Sequence, residues 1–354
     1  KNITILSSNY PLYGDMSTRV MNILAEFSPE VEVYSIDESF LKLDGFEKYN
    51  LSEYATKMRS RVLKWTGIPT CVGIAPTKAL CKVANKIARS NLKQSKGICV
   101  IDSEENRIKA LKWTKIGNVW GIGSRLKKRL LEKGCATAWD FTQLPSDWVL
   151  KNLSIVLWRL QKDLQGISKI PMEGISSKKM IATTRSFEHT YEDIEDIKER
   201  VSTFAARGAE KLRKQQSSCH MLIVQLSSDR FQTALPQHSE SKTIVFSYPT
   251  DSTLVIANAA IAAIKMIYKK GIKYKRAGVI VAGLVPNDNF QLNLFTHENP
   301  KHKPLMAAID GLNKKFKTDK IKLGNQDLKR TWKMRQNRLS AKFTTNIKEI
   351  ITVK

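Results

Sequence analysis

The chain has 354 residues, of which 59 are Lys or Arg and 33 are Asp or Glu, so it carries a formal charge of +26 at pH 7. A field of that sign selects polyanionic partners, and no apolar run approaches the ~20 residues that span a bilayer, nor does a signal pattern precede the first elements. Five cysteines without a C-x-x-C pair and five histidines without H-E-x-x-H argue against a structural zinc site, and they fit a reduced, cytoplasmic protein of two or three domains.

The first segment, Ile3 to Leu6, has the pattern of a short strand and is followed by the turn-rich S-S-N-Y-P. Met16, Val20, Ile23, Leu24 and Phe27 then recur at helical spacing, which predicts a helix over 16–27 capped by Asp15 or Ser17. Next, V-E-V-Y-S-I-D-E-S-F (31–40) sets an alternating strand against Asp37 and Glu38, with apolar character resuming at Phe40, Leu41 and Leu43. This reads as a hairpin with two acids at its bend. Neighbouring strand residues face opposite ways, so both acids reach one metal only where a turn breaks the alternation. An ordinary acidic turn is the competing reading.

Tyr54, Ala55, Met58, Val62 and Trp65 mark a second amphipathic helix, and Thr70 to Ala75 a strand. The segment 76–89 is predicted as a helix with Leu80, Val83, Ala84 and Ile87 on its apolar face. Lys78, Lys82, Lys86 and Arg89 are aligned on another face. Such a stripe is either a solvated face or a phosphate-holding surface opposite the acids. Carboxylates with cations nearby suit nucleotidyl transfer, in which two metals activate the attacking hydroxyl and stabilise the developing charge.

Val119 to Leu130, V-W-G-I-G-S-R-L-K-K-R-L, places a Gly-x-Gly turn ahead of a basic helix. That is the pattern of a helix-hairpin-helix, where Gly121 and Gly123 admit a phosphate to backbone N–H groups and Arg125, Lys127 and Lys128 add charge. Helical character continues to about Leu160, and the Ser-, Lys-, Gly- and Pro-rich stretch 166–179 reads as a linker. Beyond it, strand 180–187, a helix carrying Ile197, Val201, Phe204 and Leu212, strands 220–226 and 243–247, helix 251–269 and strand 276–284 follow one another. This order, βαββαβ, suggests a ferredoxin-like sandwich. Gln291-Leu292-Asn293-Leu294-Phe295 reads as a peptide anchor for an apolar pocket. Residues 301–354 hold fifteen Lys and Arg against four Asp and Glu, a basic tail.

Taken together, S-S-N-Y-P-L-Y-G-D-M-S-x-R-V (7–20), Y-S-I-D-E-S-F (34–40), V-G-I-A-P-T-K-x-L-x-K-x-A-N (72–85), V-W-G-I-G (119–123) and Q-L-N-L-F resemble the UmuC-like branch of the Y-family translesion DNA polymerases over nearly the whole chain. The resemblance implies an α+β, multidomain protein. Its parts would be a partial palm with the acidic hairpin over 1–110, a helical thumb with helix-hairpin-helix over 111–165, the linker, a little-finger domain over 180–286, a clamp-binding region over 287–300 and the basic tail. It further implies error-prone DNA synthesis in the DNA damage (SOS) response. Asp37 and Glu38 would bind catalytic Mg2+, Lys82 and Arg89 would meet the dNTP, and Gly121, Gly123, Arg125, Lys127, Lys128 and Arg185 would contact primer–template DNA. Gln291, Leu292, Leu294 and Phe295 would bind the sliding clamp, with a UmuD′-like accessory dimer and a RecA filament as further partners.

The chain begins at Lys1. The family's first palm strand, with another metal-binding Asp and an aromatic steric gate, and the fingers are expected upstream of it. Polymerisation by two carboxylates in place of three is therefore expected to be impaired. The alternatives are a non-catalytic DNA- and clamp-binding protein, or an RNA binder using the βαββαβ sheet, against which the lack of an R-G-F-x-F-type strand counts.

Overall fold

The computed structural model describes residues 3–46, 48–174, 177–287, 299–316, 319–326 and 336–352. The chain forms two folded units, Lys1–Ile175 with Arg338–Lys354, and Ser176–Asn337. Gln291 to Phe295 lie outside the described residues.

The first unit opens with α1 (Tyr10–Ala25), which begins six residues before the predicted start. Neither Asp15 nor Ser17 caps it. The Asn9 side chain accepts from the Leu12 N–H at 3.4 Å, and Pro11 sits in the first turn, where its missing N–H costs nothing. Asn9 is buried, and its Nδ2 also donates to the carbonyl and hydroxyl oxygens of Ser340, at 3.2 and 3.1 Å. A second link joins the same segments, for Ser7 N donates to the Arg338 carbonyl at 2.8 Å. The end of the basic tail is thus bonded to the start of α1.

The predicted acidic hairpin follows as β1 (Val31–Val33) and β2 (Ser39–Leu41), antiparallel, with Val33 opposite Ser39. Helix α2 (Leu51–Thr66), capped by Asn50, buries Ala55 and packs Met58 and Val62 against Ile23 and Phe27, while Trp65 stays on the solvent side. Next come β3 (Val72–Ile74), α3 (Lys78–Ser90), the short α4 (Leu92–Ser95) and β4 (Ile98–Val100); β3 and β4 pair in parallel, as a strand–helix–strand crossover requires. Gly73 makes this crossing close, because a Cβ there would lie nearer than 3.0 Å to backbone atoms of Cys81, Ala84 and Asn85. Gly73→Ala is expected to lower unfolding stability by about 2–3 kcal/mol, the cost of overpacking against backbone that cannot yield. A chemical-denaturation midpoint equal to the parent's would refute this reading of the contact.

Helices α5 (Glu104–Trp113), α6 (Ser124–Glu132), α7 (Ala138–Gln143), α8 (Ser146–Asn152) and α9 (Ile155–Leu164) complete the unit. Their core is continuous with the apolar face of α3, since Leu80, Val83 and Ala84 pack in one cluster with Leu111, Ile122, Leu130, Phe141 and Leu160. The helix that carries the basic stripe is therefore fixed to the one that carries the Gly-x-Gly turn.

The second unit contains β5 (Met180–Tyr191), α10 (Ile194–Lys214), β6 (Ser217–Ser228), β7 (Ser239–Thr250), α11 (Thr253–Ile267), β8 (Tyr274–Pro286) and α12 (His302–Phe316). The first six give the expected βαββαβ order. Their sheet is antiparallel throughout, in the order β5-β8-β6-β7, so two split βαβ units interleave and the last strand inserts between the first and second. Alternate residues such as Leu222, Val224, Val279 and Val281 pack against Val201, Phe204, Leu212, Ile256 and Ile264 of α10 and α11, leaving the opposite sheet face open. The first part of the basic tail is packed rather than solvated. Met306 of α12 is buried, and the Asp310 carboxylate accepts from Nε and Nη2 of the Arg213 guanidinium at 2.6 and 2.8 Å.

All five cysteines are free thiols. Burial pushes Cys81 up to about 11 and Cys219 up to about 12, so both are inert packing groups at neutral pH. Among the described residues no helix is long and apolar enough to cross a membrane.

Candidate active site

The alternation of β1 stops at Val33, and residues 34–38 form a tight loop in which the Tyr34 and Ser35 amides both donate to the Glu38 carbonyl, at 3.1 and 3.0 Å. That loop breaks the strand parity, which is what allows Asp37 and Glu38 to share one exposed turn. The Ser35 hydroxyl donates to Asp37 Oδ1 at 2.6 Å and fixes that carboxylate. Glu38 Oε1 meets Lys82 Nζ at 2.7 Å. The two acids and the first cation of the expected site are therefore brought together.

Lys82 is held from a second side by aromatic rings. Its ammonium lies 4.7 Å from the Tyr34 ring centroid, 5.8 Å from that of Phe40 and 5.9 Å from that of Trp120. Such contacts keep a cation in place without neutralising it. Arg89 is exposed at the far end of α3, seven residues beyond Lys82. Two helical turns separate them, about 10 Å along the axis and on the same face. No described contact joins Arg89 to the acids.

Lys78 departs from the predicted stripe. Its side chain is buried, with Nζ 2.8 Å from both oxygens of the equally buried Glu32 and 3.1 Å from the Pro171 carbonyl, and 4.7 Å from the Phe40 ring centroid. Glu32 Oε2 also accepts the Glu173 N–H at 2.7 Å. The expected linker is tied down at a second point by Asp163, fully buried, which accepts from the amides of Lys169 and Ile170 at 2.7 and 3.1 Å. The beginning of the stretch 166–179 is therefore a strap on the first unit. Nothing in its composition signals this, because both anchors lie outside the stretch, Asp163 just before it and Glu32 141 residues before Glu173.

At the Gly-x-Gly turn Gly121 has φ +84°, a left-handed conformation that suits glycine, and Gly123 opens α6 without a side-chain cap. Arg125, Lys127 and Lys128 are exposed on α6. The methylene stem of Lys127 lies across Gly117, where a Cβ would find no room.

Arg185 does not lie on the open sheet face of the second unit. It shares parity with the buried Ile181 and Phe187 and stands on the helix side of β5. Burial, and after it Lys211's proximity to Arg185, depress the Lys211 ammonium below the usual lysine range. The open face instead carries Arg276, Gln225, Ser227, Ser239 and Ser241 around a polar hollow of about 300 Å3. Counting alternate residues back from Phe187 already puts Arg185 on the helix side of β5 in the sequence.

Among the described residues no group of three or more His, Cys, Asp or Glu side chains is disposed to hold a metal ion. Two hard carboxylates on one exposed turn nevertheless fit a cation such as magnesium, which keeps waters and takes one or two protein carboxylates together with substrate phosphates.

Comparison with known proteins gives a consistent result. Residues 1–86 match the impB/mucB/samB family, and residues 178–294 match the C-terminal domain of that family; residues 303–353 match a domain of unknown function. The chain is 33% identical over 357 residues to Protein UmuC of Salmonella typhimurium, covering 99% of this chain and 84% of the relative. It is 34% identical over 356 residues to Protein ImpB of the same species, with the same coverage. DNA polymerase IV 2 of Bacillus subtilis is 27% identical over 323 residues, 88% of this chain and 75% of that one. Among solved structures a Y-family DNA polymerase chimera of Dbh and Dpo4 superposes with a TM-score of 0.64 at 23% identity, over 79% of this chain and 78% of that chain, a likeness of fold.

Proposed function

The chain belongs to the impB/mucB/samB family as a UmuC-like Y-family DNA polymerase of error-prone translesion synthesis, and from that premise we propose how its residues divide the work. Y-family polymerases use divalent metal ions. Asp37 and Glu38 would hold them here, as Mg2+, which when bound would supply charge neutralisation for attack of a primer 3′-hydroxyl on the α-phosphorus of a dNTP, with the α–β phosphoanhydride bond broken and pyrophosphate released. Asp37 presents its carboxylate in the orientation set by Ser35. Lys82, kept beside Glu38 by its aromatic surround, and Arg89 two turns along the same helix face supply cations to the triphosphate. The turn Gly121–Gly123 with Arg125, Lys127 and Lys128 holds backbone phosphates of primer–template DNA, and the open face of the β5–β8 sheet, with Arg276, adds a further non-specific contact. In this assignment Arg185 takes a peripheral place. Gln291, Leu292, Leu294 and Phe295 bind the sliding clamp, and the basic tail is the region toward a UmuD′-like dimer and RecA.

The observation that carries the reading is the Asp37–Glu38 turn with Lys82 in contact, fixed through α3 to the core of the helices that bear the Gly-x-Gly turn. It is tested by incubating the chain with a primer–template, one dNTP and Mg2+. Single-nucleotide extension is expected, together with DNA affinity that falls steeply with salt. Salt-sensitive binding without extension would instead favour the second reading, a non-catalytic DNA- and clamp-binding protein.

A further inference from the structure

The acidic loop and the phosphate-binding turn are joined by one side-chain pair that neither the motif nor the metal chemistry demands. Trp120 immediately precedes Gly121, and its Nε1–H donates to the Tyr34 hydroxyl at 2.9 Å. Tyr34 opens the loop that carries Asp37 and Glu38, and its amide is one of the two that close that loop on the Glu38 carbonyl. The two rings meet edge to face, with centroids 5.7 Å apart and planes at 82°, and Phe40 at the far end of the loop packs against both, at 5.7 Å from Tyr34 and 6.1 Å from Trp120. Lys82 lies over the same three rings. Three separate stretches of chain, residues 34–40, 82 and 120, therefore converge on one cluster.

Neither ring is wholly buried, although Trp120 also packs on the edge of the first unit's core. Tyr34 is 43% exposed and Trp120 is half-buried, so the area they hide is modest. What the pair provides is direction, because an edge-to-face contact with a hydrogen bond at its rim permits few relative orientations. Gly121 at φ +84° makes the turn beyond Trp120 conformationally permissive, and a backbone contact there would be passed on through the indole.

We propose that Trp120 is a positioning residue for the polymerase reaction. Through the Tyr34 hydroxyl it couples occupancy of the phosphate-binding turn to order in the acidic loop, so that the carboxylates are set when DNA is gripped. This inference rests on the polymerase reading for its purpose. Its physical content, coupling between two segments, is measurable without any turnover.

The test is hydrogen–deuterium exchange of the peptide covering residues 34–38 in the full chain, with and without primer–template DNA and without dNTP, for the parent, Trp120→Phe and Tyr34→Phe. Trp120→Phe keeps a ring and removes the N–H; Tyr34→Phe removes only the hydroxyl and guards against a folding defect in the first variant. In the parent, DNA should slow exchange of the loop by about 5-fold, the equilibrium worth of one hydrogen bond. In both variants the slowing should vanish, although DNA affinity, read by fluorescence anisotropy, stays at the parent value. The proposal is overturned if DNA protects the loop equally in parent and variants, if it does not protect the parent loop at all, or if either variant loses DNA affinity in proportion to its lost protection. Failure of the parent to extend a primer bears on the polymerase reading alone and leaves these exchange outcomes decisive.

Discussion

Asp37→Ala and Glu38→Ala are each expected to lower single-nucleotide primer extension by at least about 10³-fold, comparable to the largest losses seen when a group that stabilises developing charge is removed. Both side chains are exposed oxygen donors on one turn, and the transferred phosphoryl group needs its charge met at that place. The two variants should differ in their side effects. Removing Asp37 leaves Ser35 without its acceptor and otherwise disturbs only solvent. Removing Glu38 takes the counter-ion from Lys82, whose ammonium then rests on the rings of Tyr34, Phe40 and Trp120 alone. Because neither acid supports a core, thermal unfolding should stay close to the parent's, within about 0.5 kcal/mol. DNA affinity should also hold, since the proposed phosphate contacts lie elsewhere. Extension by either variant at a tenth of the parent rate or more would remove these residues from the metal site.

How the acids came to be legible and their surroundings did not has a physical reason. The pair Asp37–Glu38 sits in an interrupted alternation, and interrupted alternation is written in consecutive residues. The apolar faces of α2 and α3 and the βαββαβ order of the second unit are local or periodic in the same way. By contrast, Glu32 reads as one more outward residue of a short strand until its partner Lys78, 46 residues later, is placed against it. Lys78 in turn fits a solvated stripe with Lys82, Lys86 and Arg89, and only the approach of β1 turns it inward. The start of α1 was signalled by Pro11 two residues after Asn9, a capping pattern obscured by the apolar repeat that begins later. The bonding of Asn9 to Ser340 joins positions 331 apart in sequence, and nothing in either segment announces it. Insertion of β8 between β5 and β6 is likewise a property of the assembled sheet, because each strand carries the same alternation whichever neighbour it takes.

Lys78→Met should produce the largest loss of stability in the first unit, about 3–5 kcal/mol, because it leaves the Glu32 carboxylate buried without its cation. The argument separates the worth of the pair from the cost of breaking it. Glu32 and Lys78 are each less than a tenth exposed, so each loses most of its hydration on folding, and their mutual attraction does little more than offset that. Removal of both charges together should therefore be much milder than removal of one. Glu32→Gln/Lys78→Met is expected to recover at least half of the single-variant loss, with the glutamine carbonyl still able to accept the Glu173 N–H. The pair also anchors the strap, since Lys78 donates to the Pro171 carbonyl and Glu32 accepts from Glu173. In Lys78→Met, limited proteolysis should cut within 171–174 well before global unfolding, whereas Asp163, which holds the other end at Lys169 and Ile170, keeps the strap's start protected. Equilibrium urea unfolding of the parent, both single variants and the double variant gives the coupling directly. Additive losses across that cycle would show that the buried contact does not act as a pair, and would leave the strap's attachment to Asp163 alone.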